Sequence, residues 1–225
     1  MSFFELPWLE LAILVPLASS AFVSQLRDPG RAFRAALVFT GMALVLAILA
    51  WFAFAESAAA GHDRGSNIQS LLFGHDIFSL DELSAPLVPA VALLHFLTAL
   101  ATARTKMRRF SFSWSLAAEG LNLATFACQD RWVLVGLLAL ATVPPYVELV
   151  VHANRARVYV IHMTLFVAML VLGWWLIERT DGVPERIAWW TTLPLMIAVL
   201  VRCGTVPVHC WITDWFEHAS LGIAI

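Results

Sequence analysis

The chain has 225 residues, 60% apolar and only 13% charged, with a mean hydropathy of +0.79 and a formal net charge of −2. A soluble domain carries about 25% charged residues, so this composition excludes an ordinary soluble enzyme, and the near-neutral balance leaves no nucleic-acid footprint. Three cysteines in apolar settings, Cys128, Cys203 and Cys210, are too few for a disulfide framework.

Apolar runs long enough to cross a hydrocarbon core, at about 20 residues each, define the predicted elements. The first, 6–24, follows a start without a basic region, and Glu5 and Glu10 stand where one would be, so it reads as a span and not as a cleaved signal. The second is 33–54. A longer connection, 55–84, carries the amphipathic NIQSLLFGHDIFSLDEL and is expected at the membrane interface. Five further runs follow at 85–103, 110–128, 132–151, 158–177 and 187–208, and Ala219–Ile225 opens an eighth. The expected fold is therefore all-α, a polytopic transmembrane bundle of about seven helices. Its domains are 1–54 with the first two spans, the interfacial 55–84, and 85–225 with the rest. Gly204 and Pro207 predict that the seventh helix is broken between Gly204 and Asp214, because proline lacks an N–H and clashes with the preceding turn.

Basic residues alternate by loop. Arg27, Arg31 and Arg34 follow the first span, Arg104, Lys106, Arg108 and Arg109 the third, and Arg155 and Arg157 the fifth. The other loops hold Arg64, Arg131, Arg179 and Arg186, the last two diluted by Glu178, Asp181 and Glu185. The positive-inside rule puts the odd-numbered loops in the cytoplasm and the N-terminus outside, in a multi-pass protein of the inner (cytoplasmic) membrane. Trp174–Trp175 and Trp189–Trp190 flank the sixth loop as an aromatic belt would.

Two charges fall inside the runs. Glu119 has nine uncharged residues on either side, and Arg202 lies about fifteen residues beyond Ile187. A charge at mid-bilayer costs from ~3 kcal/mol to ~10 or more, so such residues face a cavity, pair or carry ions. Arg202 is the natural cation for Glu119, with His162 as second choice; alternatively its long stem reaches the interface from the end of span seven. Arginine keeps its proton, so Arg202 could set a potential but not relay protons. His95 and His162 sit in apolar settings and titrate near neutrality. Glu148, close to a helix end beside His152, reads as interfacial. Cys203, His209, Cys210, Asp214, Glu217 and His218 are close in sequence, but their spacing matches no zinc signature, so no metal and no cofactor is expected. No phosphate loop, nucleophile elbow or dinucleotide fingerprint is present, so no catalytic residue is assigned.

Three patches resemble a known family. RCGTVPVHCWITDWFEHAS is similar to the seventh-helix motif of the antiporter-like membrane subunits of respiratory complex I and of multisubunit cation/proton antiporters, roughly K-x-x-x-x-P-F-H-x-W-L-P-D-A-H-x-E-A-P-T, with Pro207, His209, Trp211, Asp214 and Glu217 in register. EGLNLATFACQD resembles the fourth-helix E-A-G-x-x-G-x-F-x-x-x-D through Glu119, Phe126 and Asp130. LDELSAP resembles the D-G-L-S-x-P segment before helix three through Asp81, Leu83, Ser84 and Pro86. The likeness spans about residues 80–220, and the implied inverted repeat starts near 110 and stops before its last helix, which implies either a fragment or a second chain that completes it. The family's helix-seven lysine aligns with Arg202, and its helix-five glutamate aligns with Ala139 when counted from Asp130 and from Pro144. Thr213 replaces the proline of the L-P-D-A run.

The resemblance implies a membrane subunit of a complex I-like, NADH-quinone oxidoreductase-like assembly that couples a partner reaction to proton movement, with Glu119, Arg202, His162, His95 and His209 as pathway candidates and Pro207, Trp211, Asp214 and Glu217 as motif residues. Its partners would be other membrane subunits and the bilayer. The alternatives are a subunit of an inorganic-carbon uptake complex with a soluble enzyme partner, or a non-conducting scaffold that Ala139 and Arg202 favour.

Overall fold

A computed structural model describes residues 7–60, 77–102, 111–153, 156–180 and 188–218. Among them the chain forms helices α1 (Trp8–Ser24), α2 (Pro29–Ala60), α3 (Ser84–Ala101), α4 (Phe112–Ala127), α5 (Arg131–Leu140), α6 (Val143–Ala153), α7 (Arg157–Thr180), α8 (Ala188–Cys203) and α9 (Cys210–His218). One isolated antiparallel bridge joins Phe78 to Cys128. Among the described residues the structure is helical apart from this bridge, in keeping with the all-α class read from the apolar runs.

Helix length separates the predicted spans. Four helical stretches are long and apolar enough to cross a membrane, Pro29–Ser57, Ser84–Ala101, Arg131–Val151 and Arg157–Thr180, while Trp8–Ser24 and Trp190–Cys203 are apolar but shorter. Helix α4 has 16 residues, about 24 Å at 1.5 Å per residue. It stops where the chain turns into the bridge, with Ser79 N–H donating to Ala127 O at 2.8 Å and Gln129 N–H to Ile77 O at 2.9 Å. Helix α2 runs beyond the expected end at 54, and most of the proposed interfacial stretch, 61–76, lies outside the described residues.

The run 132–151 is two helices. Pro144 and Pro145 cannot donate to Leu140 and Ala141, and α5 ends there. The Thr142 hydroxyl donates to Ala139 O at 2.7 Å, and the Thr142 carbonyl accepts the Tyr159 hydroxyl at 2.9 Å. Hydropathy carries little sign of this interruption, because Thr142 is the one polar residue between Arg131 and Tyr146.

Helix starts account for two of the family-like patches. Asp81 and Ser84 form a reciprocal box: Ser84 N–H donates to Asp81 Oδ1 at 2.6 Å, and Asp81 N–H donates to Ser84 Oγ at 2.9 Å. This satisfies donors that a helix N-terminus leaves free. The Ser84 backbone N–H, then its side chain, hold the Asp81 carboxyl below the usual carboxylate range. Asp130 does the same for α5, accepting from Val133 N–H at 2.9 Å. Asp81→Ala is expected to destabilise the folded chain by about 1 kcal/mol. The Asp81 pKa is depressed by folding, so its contribution is full above the ordinary carboxylate pKa and lost as pH falls through the folded value. Thermal melts in detergent at pH 7 and pH 3 check both points: the gap between wild type and Asp81→Ala should narrow at the lower pH.

The chain divides into two compact units, with the boundary inside α5 between Leu137 and Leu138. In the first, α1 packs on α2 and α4, and α3 packs on α2 and α4. Its core is largely alanine (Ala12, Ala47, Ala50, Ala85, Ala92, Ala124 and Ala127) with Val88 and Leu123. Small side chains let helix backbones approach closely, as in membrane bundles where packing drives association. In the second, α7 packs on α8, and α9 on α6 and α7. Large apolar side chains such as Leu14, Val38, Phe52 and Ile161 stand exposed on the outside.

Candidate functional site: buried polar groups among apolar helices

Glu119 sits at mid-α4 and is 0% exposed. Helix α1 closes over this level, because the following residue is Gly120, where a Cβ would come within 2.6 Å of Leu17 Cγ and 3.2 Å of Leu17 N. Neither carboxyl oxygen of Glu119 has a hydrogen-bond partner among the described residues. The expectation that Glu119 faces the protein interior is met. Arg202 and His162 belong to the other unit, and each unit is described by itself.

Within the same unit the sequence reading named His95 but missed the amide it meets. His95, at mid-α3, is 3% exposed, and its Nε2 lies 3.3 Å from Asn122 Nδ2. Asn122 is three residues from Glu119, on the same helical face. His95 Nδ1 has no partner among the described residues. The available signal was the i, i+3 spacing of Glu119 and Asn122 in an otherwise apolar run.

In the second unit Arg202 ends α8 and lies across α7. Its Nη1 is 3.5 Å from the sulfur of Met163, its guanidinium carbon is 5.6 Å from the Phe166 ring centroid, and it interacts with the Tyr159 hydroxyl. Soft and aromatic groups surround this cation, as in cation–π recognition. His162 points along its own helix, its Nδ1 bonded to Val158 O at 2.8 Å.

The seventh helix is broken where Gly204 and Pro207 predicted it. Gly204 adopts φ 61°, and the Val206–Pro207 peptide is cis. Gly204 N–H donates to Val201 O and Thr205 N–H to Leu200 O, each at 3.2 Å, the paired bonds of a Schellman end. Trp211, on α9, turns back and donates Nε1–H to Val201 O at 2.9 Å, with its ring edge-on to Tyr159 at 5.9 Å. The motif tryptophan thus ties the two halves of the broken helix. His209 is exposed, and its carbonyl starts α9 by accepting from Ile212 N–H at 3.0 Å. Asp214 and Glu217 fall on α9, with side chains outside the described residues.

Ala139 places no ionisable group on α5. Glu148 on α6 is 2% exposed and so is buried within its unit, where the short helix α6 packs against α9. Among the described residues no three of His, Cys, Asp or Glu converge as a metal ligand set.

No protein-family model matches the sequence. The chain is similar to NAD(P)H-quinone oxidoreductase chain 4 of Prochlorococcus marinus (strain NATL1A), 24% identical over 96% of this chain and 45% of that protein. Chain 4 of Synechococcus sp. (strain WH7803) is 24% identical over 96% and 44%. Chain 4-3 of Nostoc sp. (strain PCC 7120 / SAG 25.82 / UTEX 2576) is 23% identical over 97% and 43%. The chain thus spans under half the length of these curated relatives. With its apolar helices, the likeness marks an integral membrane protein.

Proposed function

We propose that this chain is a membrane subunit of a complex I-like assembly and that Glu119 takes part in proton movement through it. The observation that carries the reading is a carboxyl group wholly buried at mid-helix with no hydrogen-bond partner among the described residues. An ionisable group held inside a membrane bundle is costly and is retained for charge or proton transfer. The relatives are chains of NAD(P)H-quinone oxidoreductases, and the resemblance to antiporter-like membrane subunits implies a driving reaction in partner subunits. His95 is the first companion of Glu119 in its own unit. Arg202, His162 and His209 are kept as pathway residues of the second unit, where Arg202 supplies a fixed positive potential.

A scaffold reading has one specific observation in its favour. Arg202 is held by a thioether, a phenol and a phenyl ring, and the aligned carboxylate on α5 is Ala139. Affinity purification of the tagged full chain from its native membrane in mild detergent tests membership of the assembly. The proposal expects other complex I-like membrane subunits to copurify. Recovery of a soluble carbonic-anhydrase-like protein as sole companion would favour inorganic-carbon uptake, and recovery of the chain alone would overturn the proposal.

We further propose seven spans, the N-terminus outside, and the connection that contains Thr105 in the cytoplasm of the inner membrane, from the alternation of basic loops. In a background without native cysteines, Thr105→Cys should react with an impermeant thiol reagent only after the cytoplasmic face is opened. Labelling from the outer face of intact cells would contradict this orientation.

A further inference from the structure

The hydrogen bond between α3 and α4 has a direction. Asn122 presents its amide nitrogen to His95 Nε2 at 3.3 Å. An amide nitrogen only donates, so Nε2 accepts, and the neutral imidazole then carries its proton on Nδ1. That Nδ1–H donor and both acceptor oxygens of Glu119 are buried without partners among the described residues of one unit. Glu119 is one helical turn from Asn122, about 4.5 Å along the axis for three residues. Buried polar groups left unmet are costly, and a water that meets two to four of them is the common remedy.

We propose that Asn122 is a positioning residue that fixes the tautomer of His95, and that His95 is the group with which Glu119 exchanges its proton, through a bridging water. The step balances as follows. A hydronium ion gives up one O–H proton to His95 Nε2 and is left as neutral water, as the Asn122 amide turns its oxygen toward the new N–H. The Nδ1–H bond then breaks, and an O–H bond forms on the Glu119 carboxylate by way of the water. The imidazole is left neutral with its proton on Nε2. Asn122 therefore sets which ring nitrogen loads and which unloads. This role rests on the proton-moving reading of Glu119, whereas the tautomer itself does not.

The test is solid-state nitrogen NMR on the full chain in lipid bilayers with labelled histidine, the His95 signals assigned by their loss in His95→Gln. Wild type should show neutral His95 protonated on Nδ1. Asn122→Asp, which keeps the shape and replaces the donor with an acceptor, should lose that signal in favour of an Nε2-protonated ring, and Asn122→Leu should lose it as well. Glu119→Gln should shift the Nδ1 resonance, because the water's acceptor has changed. An Nε2-protonated neutral ring in wild type, an unchanged tautomer in Asn122→Asp, or an Nδ1 resonance indifferent to Glu119→Gln would each overturn the proposal. Should the tautomer respond as stated in a chain that moves no protons, the proton-moving reading fails and the positioning of His95 stands.

Discussion

Replacing Gly204 by alanine destabilises the hairpin of α8 and α9 by about 2–5 kcal/mol, the sum of two independent costs. The first is conformational. At φ 61° a side chain crowds the following carbonyl, at about 1–2 kcal/mol for an L-residue. The second is packing. The new Cβ would overlap Ile212 Cδ1 and lie 2.8 Å from Ile212 Cγ1, and forcing an added carbon into a packed contact costs about 1–3 kcal/mol. If α8 straightens to escape the strain, the Schellman bonds to Leu200 and Val201 and the Trp211 bond to Val201 are lost with it. Urea unfolding in detergent checks the size. Gly204→Ala combined with Ile212→Ala should recover the clash but not the strain, leaving a deficit of about 1–2 kcal/mol against Ile212→Ala alone. A Gly204→Ala protein as stable as wild type would show that the turn does not hold the left-handed residue.

Much of this architecture was legible because hydropathy and breakers act locally. The seven apolar runs each correspond to helix, and Gly204 with Pro207 marked the broken one. Glu119 was legible as buried because nine uncharged residues on each side leave it no surface to reach. What was not legible depended on tertiary partners. Arg202 was expected either to pair with a carboxylate or to reach the interface, and within its own unit Met163, Phe166 and Tyr159, one to two turns apart on α7, form a soft face that a one-dimensional reading sees only as apolar. Asn122 was passed over because a lone amide in an apolar helix looks unremarkable until the helix opposite supplies His95. Glu148 near a run's end suggested an interface, and its burial within its unit, on a short helix opening at Pro144 and Pro145, depends on packing that the run does not show. The family-like aspartates at 81 and 130 cap helices, so those parts of the motif report on folding and not on proton transfer.

The second large effect lies at the buried carboxyl. Glutamine has nearly the shape of glutamic acid, so Glu119→Gln keeps the packing of α1 on α4 at Gly120. It removes the one property the proposal needs, reversible proton binding. The energetic cost to folding is expected to be small, because neither oxygen of Glu119 has a hydrogen-bond partner among the described residues that the substitution would break.

The direct measurement is the initial rate of proton movement by the purified assembly in sealed vesicles, wild type against Glu119→Gln, at matched subunit content and with the driving reaction followed in parallel. The account predicts normal assembly and a rate at least about a hundredfold lower, the lower end of what a positioned acid–base group contributes to a transfer step. A Glu119→Gln assembly that pumps at the wild-type rate would place the conduction path in another subunit and leave this chain as a scaffold.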